Sequence, residues 1–259
     1  MKNIPVIKDG QADRKRRLQG FKSATKKQLI AKTGEVNGLQ NAILYIVADI
    51  VESRDDMTGS HMDRTQVYLK CLIDALRETS TYSNEVAPWN MDLLLPSSQL
   101  HDLGKIAISD AILNKPGKLT HKEYEVMKTH SQIGVDAICR MESVINDSSF
   151  LEYAKTFAGT HHERWDGKGY PNGISGEDIP LEGRLLAIVD VYDALVSARP
   201  YKKPFSAKRA QKIITDGRGT RFDPLLIDVF ETVSDQFAAI ASIPPDELGG
   251  QSSLALLAS

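Results

Sequence analysis

The length, composition and charge of the chain exclude several classes of protein. Its 259 residues suffice for one large domain or two small ones with a sizeable core. A formal net charge of −2 gives no electrostatic match to duplex nucleic acid. Two cysteines do not form a disulfide framework, and no apolar run approaches the roughly 20 residues that span a bilayer. We therefore expect a cytoplasmic protein without a membrane span that does not bind duplex nucleic acid.

The composition predicts three segments along the chain. Residues 1–36 carry ten Lys or Arg against three Asp or Glu, which is typical of a solvated basic leader or linker. Residues 37–242 show helical patterning and are expected to form the folded domain. Residues 243–259 contain paired prolines and paired glycines, so a flexible C-terminal tail is expected.

Apolar residues recur at steps of three and four within the folded domain, which indicates helices. The stripes lie at Leu39–Ile50, Leu69–Leu76, Met127–Met141 and Leu185–Leu195. The last stripe is rich in Ile, Val and Leu and could be a buried strand, but its length and period favour a helix. No convincing run of alternating strands is present, so the predicted class is all-α. A long glycine-containing loop is expected at Asp166–Pro180, and long ordered loops are usually functional.

Five of the six histidines lie where they could share a partner. They are His61, His101, His130, His161 and His162, whereas His121 is expected to be exposed near a helix start. A lone buried histidine is more often a hydrogen-bonded core residue than a ligand. The adjacent pair His161 and His162 favours a common cation, because burying several histidines without a partner is costly.

Two aspartates extend this set to seven candidate metal ligands. Asp102 follows His101 directly, and Asp190 lies in an apolar segment beside the small residues Ala187 and Ala194. One tetrahedral or octahedral ion cannot use seven protein ligands, so two ions bridged by a carboxylate are predicted. Imidazole and carboxylate without thiolate suit iron, manganese or zinc. Such a pair can activate water and stabilise both oxygens of an in-line displacement at phosphorus.

Several short motifs resemble those of one family. They are His101-Asp102 with Gly104-Lys105, and the string HHERWDGKGYP over residues 161–171. This combination resembles the HD-GYP family, a branch of the HD phosphohydrolases that degrades cyclic di-GMP. The resemblance covers roughly residues 37–235, which would be the catalytic domain. It implies a compact helical fold and a metal-dependent phosphodiesterase that yields pGpG, with further hydrolysis to GMP left open.

The resemblance also implies roles for individual residues. The HD quartet would be His61, His101, Asp102 and Asp190, and the ligands added for a second ion would be His130, His161 and His162, with Asp102 as the bridge. Asp102 and Lys105 would be catalytic. Lys105, Arg199 and Lys202 would bind the substrate phosphates, and Tyr170 of the Gly-Tyr-Pro loop is also predicted to bind substrate.

One position departs from the family pattern. Many members have a glutamate four residues before the first histidine ligand, where it contributes to a third metal site, but here that position is Met57. Asp55 and Asp56 are out of register with it. The sequence therefore predicts two divalent transition-metal ions, with iron or manganese favoured and zinc an alternative, and gives no support to a third.

Two other functions stay open on sequence alone. One is a catalytically weak signalling module that binds partner proteins, such as diguanylate cyclases, through the Gly-Tyr-Pro loop. The other is an HD hydrolase for a different nucleotide, because no residue is recognisable as a reader of guanine. Relatives usually carry a sensor or receiver domain, so the regulator is expected to be a separate sensor or receiver protein, or regulation is absent.

Overall fold

The computed structural model describes residues 42–43, 45–54, 61–144, 149–198, 203–244 and 247. Residues 45–259 cluster as one compact unit. The predicted leader at 1–36 and almost all of the predicted tail lie outside the described residues, so the division into three segments stays a prediction. Met57, Arg199 and Lys202 lie outside them as well.

The described part of the chain is helical, which confirms the predicted all-α class. After helix α1 over residues 45–52, the α-helices are α2 His61–Glu78, α3 Ser83–Val86, α4 Met91–Ser97, α5 Asp110–Leu113, α6 His121–Glu142, α7 Ser149–Thr160, α8 Leu181–Val196, α9 Ala207–Asp216, α10 Pro224–Thr232 and α11 Ser234–Ala241. Short 3-10 turns lie at Ser98–Leu100, Leu103–Ala107 and Gly176–Asp178. Within the described ranges, no helix combines the length and apolar character that crossing a bilayer requires.

The core lies between α2, α8 and the C-terminal helices. The predicted stripe Leu69–Leu76 forms the buried face of α2, and Leu72 and Ile73 have no exposed surface. The Tyr68 ring stacks on Phe237, with ring centroids 4.6 Å apart. Burying a side chain such as Leu72 or Ile73 contributes about 1.5–3 kcal/mol to the stability of the fold. This cluster therefore fixes the helices that carry the functional side chains.

The segment whose assignment was ambiguous from sequence is a helix. Leu185, Ile188 and Val189 of α8 are fully buried. Asp190 lies on another side of the same helix and is partly exposed. The apolar face faces the core, and the helical period places one carboxylate at its edge. A strand would have alternated the two faces instead.

Helix α6 begins at a well-formed cap. The Thr120 hydroxyl accepts from the Glu123 backbone N–H, and the Glu123 carboxylate accepts from the Thr120 N–H, which forms a capping box. His121 is the first helical residue and its side chain is 86% exposed, as predicted.

The turn Leu103–Ala107 lies directly against α6. A Cβ atom added to Gly104 would lie 1.9 Å from the His130 carbonyl oxygen and 2.6 Å from the Gly134 nitrogen. Only glycine permits this approach, since real Cβ atoms do not come so close to backbone. The approach brings Asp102, two residues before Gly104, next to His130.

The long loop after α7 is ordered by a buried carboxylate. Glu163 accepts from the backbone N–H groups of Asn172 and Gly173 at 2.7 and 3.1 Å. A Cβ atom at Gly169 would lie 2.5 Å from Glu163 Cα, so glycine is required there as well. The predicted loop Asp166–Pro180 is confirmed, apart from the 3-10 turn at Gly176–Asp178.

Candidate metal centre

The structure brings all seven predicted ligand residues together in two groups. One group comprises His61, His101 and Asp190, and the other comprises Asp102, His130, His161 and His162. Within each group the ligand atoms lie within 4.8 Å of one another. The residues come from α2, α6 and α8, from the junction between two 3-10 turns, and from the end of α7.

Hydrogen bonds hold the histidine rings with one nitrogen turned to the centre. Nδ1 lies 2.7–2.8 Å from a backbone carbonyl in three of them: His101 at Ser98, His130 at Met127 and His161 at Phe157. A carbonyl oxygen can only accept, so Nδ1 carries the hydrogen and the Nε2 lone pair is left for a ligand. This is the usual arrangement around a protein-bound metal.

Buried acceptor atoms without a hydrogen-bond donor converge on the centre. They include Nε2 of His61, His101 and His161, and Oδ1 of Asp102. Buried polar atoms are nearly always hydrogen-bonded, so four such atoms in one place are unusual. A divalent cation would satisfy all of them, and imidazole with carboxylate is a suitable donor set. The residues present therefore fit a metal centre.

The two oxygens of Asp102 face different groups. Oδ1 lies 3.3 Å from His130 Nε2, and Oδ2 lies 3.3 Å from His101 Nε2. Oδ2 is also 2.7 Å from Lys105 Nζ. Burial would raise the pKa of Asp102, but Lys105 and the neighbouring histidines hold it well below its usual range. An ionised carboxylate with one oxygen towards each group is positioned as a bridging ligand would be.

The histidines differ in their electrostatic surroundings. Burial lowers the pKa of His162 well below its usual range, and His161 and His130 lower it further. Burial lowers the pKa of His161 as well, so these two rings favour the neutral form that a metal ligand requires. Burial also lowers the pKa of His61, but the hydrogen bond and charge of Asp193 outweigh this and raise it to about 9.

Asp193 supports the centre but was missed in the sequence. It is fully buried in α8, and its Oδ2 lies 2.7 Å from His61 Nδ1. Arg64 Nη2 and Ser197 Oγ lie 3.0 and 3.2 Å from the same oxygen. The sequence does contain a signal for it, because Asp193 follows Asp190 by three residues within an apolar helix. Residues at that spacing are neighbours on one side of a helix.

Glu52 is a second residue that the sequence did not single out. It lies at the end of α1, is buried, and lines a cavity of about 20 Å³ together with His61, His101 and Asp102. Ala48 and Val51 of the same helix are buried too, but no sequence signal distinguished this side of α1 from the other.

A groove of about 440 Å³ lies next to the second group. Its lining residues are Glu125, Lys128, Thr129, Gln132, Ile133, Tyr170 and Pro171. The Tyr170 ring is 4.6 Å from the His162 ring between centroids, and Lys128 Nζ is 5.9 Å from the Tyr170 centroid. Tyr170 therefore lies between the candidate metal ligands and the groove.

Comparison with known proteins identifies the class. The HD domain family model matches residues 45–226, which is well over half of the chain. The chain therefore belongs to the HD domain family. Its HHERWDGKGYP string and its relatives confirm the resemblance to the HD-GYP branch.

Relatives support the same assignment, and a solved structure supports the fold. The chain is 47% identical over 214 residues to a cyclic di-GMP phosphodiesterase of Vibrio cholerae serotype O1, covering 83% of this chain and 44% of that protein. It is 37% identical to a 3′3′-cGAMP-specific phosphodiesterase 2 of the same organism, covering 79% and 37%. The chain thus spans less than half the length of these two relatives. A crystal structure of a cyclic GMP-AMP specific phosphodiesterase, V-cGAP3, matches with a TM-score of 0.51 at 19% identity, over 79% of this chain and 52% of that one. At that identity it supports the fold alone.

Proposed function

We propose that the chain is a metal-dependent phosphodiesterase that hydrolyses a 3′–5′ phosphodiester bond of cyclic di-GMP. The observation that carries the proposal is Asp102, whose two oxygens face two separate groups of histidines. The names of the relatives support a cyclic dinucleotide as substrate. The product would be pGpG, and GMP if the second bond is also cut.

The seven ligand residues are proposed to hold two divalent transition-metal ions, iron or manganese, with zinc as an alternative. His61, His101 and Asp190 would serve one ion, His130, His161 and His162 the other, and Asp102 both. When bound, two such ions neutralise the phosphate, lower the pKa of a water and stabilise the leaving oxygen. The Nδ1 hydrogen bonds keep the histidine rings oriented throughout.

Lys105 is proposed to act on the substrate as a catalytic cation. Its Nζ already lies 2.7 Å from Asp102, so it is held within reach of a phosphate bound at the centre. There it would donate a charge-assisted hydrogen bond to a non-bridging oxygen. The Tyr170 side of the groove would receive the rest of the dinucleotide, and Arg199 and Lys202 stay proposed phosphate contacts.

The direct test combines metal analysis with turnover on one anaerobically purified sample. The wild type should hold about two ions per chain and hydrolyse cyclic di-GMP, with 3′3′-cGAMP assayed beside it. Asp102→Ala should lose both ions and all turnover, while His121→Ala, an exposed histidine, should change neither. Full metal occupancy in Asp102→Ala would refute the bridging role.

The alternative of a catalytically weak partner-binding module gains no support. The relatives described above are named as phosphodiesterases, and the ligand set is complete in the part of the chain that the structure describes. Binding to a diguanylate cyclase or to a separate sensor or receiver protein stays a prediction. If metal-loaded protein binds cyclic di-GMP without hydrolysing it, the alternative would replace the present proposal.

A further inference from the structure

A buried carboxylate without a partner lies beside the metal centre. Glu52 is only 9% exposed, and neither of its side-chain oxygens has a hydrogen-bond partner among the described residues. Burial raises the pKa of Glu52 to about 7, with His61 and His101 as the largest opposing influences. A buried carboxylate without a donor is costly unless it is paired or bound to a metal. Two of the groups that act on it most strongly, His61 and His101, belong to the His61 group.

The space next to Glu52 is small and polar on one side. The cavity of about 20 Å³ holds roughly one water-sized sphere. Gln99 and Lys105 supply donors to its lining, but His61, His101 and Asp102 also line it, and each has a buried acceptor atom without a donor. Glu52 adds two more acceptor oxygens to the same place. Such an excess of acceptors calls for a cation rather than for another neutral group.

Two simpler explanations fit less well. A neutral carboxyl would need an acceptor for its O–H, and the nearby Nε2 atoms of His61 and His101 are those that a metal would occupy. The other explanation is an ion pair between Glu52 and Lys105, but Lys105 Nζ lies 2.7 Å from Asp102 Oδ2. Neither explanation accounts for a glutamate at this position once the centre holds metal.

The end of α1 is fixed against the site. Arg54, two residues after Glu52, donates to the carbonyl oxygens of Ile106 and Ile108 at 2.7 and 3.2 Å. It also forms an ion pair with Asp110 at 2.7 Å. These contacts tie α1 to the turn that carries Lys105, so Glu52 is held beside the centre.

We propose that Glu52 is an additional carboxylate ligand of the ion held by His61, His101 and Asp190. In the present structure Glu52 is not among the donors of that group that lie within 4.8 Å of one another. Its side chain would turn through the adjoining cavity to reach the ion. With Asp102 this ion would have five protein ligands and the other ion four.

The inference rests on the proposed two-ion centre, and its test measures metal binding rather than turnover. Full-length protein stripped with chelator is titrated with Mn²⁺ for the wild type, Glu52→Gln and Asp49→Asn. Asp49 is exposed on the same helix, so its variant is a matched charge control. Glu52→Gln should bind one ion with wild-type affinity and the other about 10- to 100-fold more weakly. Replacing a group that only supports a metal ligand already costs this much in metal affinity. Asp49→Asn should match the wild type.

Thermal unfolding separates a ligand from a structural residue. Without metal, Glu52→Gln should melt at or above the wild-type temperature, because a buried ionisable group has been removed. Excess Mn²⁺ should raise the melting temperature of Glu52→Gln by less than it raises that of the wild type. Loss of a structural contact would instead lower the melting temperature both without and with metal. Unchanged affinity for both ions would overturn the proposal, as would a third ion in the wild type that alone is lost in Glu52→Gln. Retention of both ions by Asp102→Ala would instead refute the two-ion centre itself.

Discussion

Replacing Asp193 with asparagine is expected to destabilise the metal-free protein by about 3–5 kcal/mol, because it breaks a buried ion pair. Asp193 is fully buried and Arg64 is 7% exposed. Asparagine keeps the shape of the side chain but removes the charge that pairs with Arg64. The buried guanidinium would then lose its ion pair with this carboxylate.

The pKa of Asp193 gives an independent magnitude. Burial would raise it, but hydrogen bonds from His61 and Arg64 lower it to about 2. Against an unfolded value of about 3.9, this difference corresponds to roughly 2–3 kcal/mol. Because the folded pKa is the lower one, the stabilisation is present above about pH 4 and is lost as the pH falls through about 2. The larger figure for asparagine includes the cost to the buried Arg64 side chain of losing this ion pair.

Urea unfolding of chelator-treated protein at pH 7 measures the lost free energy of unfolding directly. In thermal unfolding, the expected fall in Tm is roughly 6–20 °C. Asp216→Asn is the matched control, since its side chain is 61% exposed and its pair with Lys212 should contribute less than about 1 kcal/mol. Arg64→Met combined with Asp193→Asn should recover part of the loss, and the gap between Asp193→Asn and the wild type should narrow below about pH 3. A loss under about 1 kcal/mol for Asp193→Asn would refute the reasoning.

Three further predictions concern the elements that position the site. Gly104→Ala should push the turn away from α6 and lower metal content, as measured by metal analysis, because its Cβ would lie 1.9 Å from the His130 carbonyl oxygen. Thr120→Ala should cost about 1 kcal/mol and raise amide exchange at the start of α6, with metal content unchanged. Lys105→Ala should retain both ions but lose about 10- to 100-fold in turnover, the equivalent of one charge-assisted contact. Loss of metal in that variant would assign Lys105 a role in holding Asp102 instead.

The positions of the seven ligand residues follow well from sequence because their chemistry is conspicuous. Histidines in helical apolar stripes, a histidine pair and an aspartate in an apolar helix are each unusual. Their spacing along the chain matches one family. The structure then places them in two groups, as the count of seven ligands required. Their role as metal ligands stays a proposal.

The buried face of α1 could not be predicted in the same way. The apolar stripe Leu39–Ile50 indicated a helix, yet Ile46 and Ile50 are 55% and 53% exposed while Ala48 and Val51 are buried. Periodicity identifies a helix, but tertiary packing decides which side is covered when apolar residues occupy more than one side. For the same reason Glu52 resembled a surface residue.

Gly169 shows that a family motif can record shape rather than chemistry. A side chain there would collide with the backbone of Glu163 and Arg164, so the glycine is dictated by how the loop folds back on itself. The histidines and aspartates proposed as metal ligands lie outside this glycine-containing loop. A chain could therefore keep the Gly-Tyr-Pro letters, fold the same loop and still lack a reactive centre. When related sequences are sorted into active and inactive ones, the ligand positions are informative and this glycine is not.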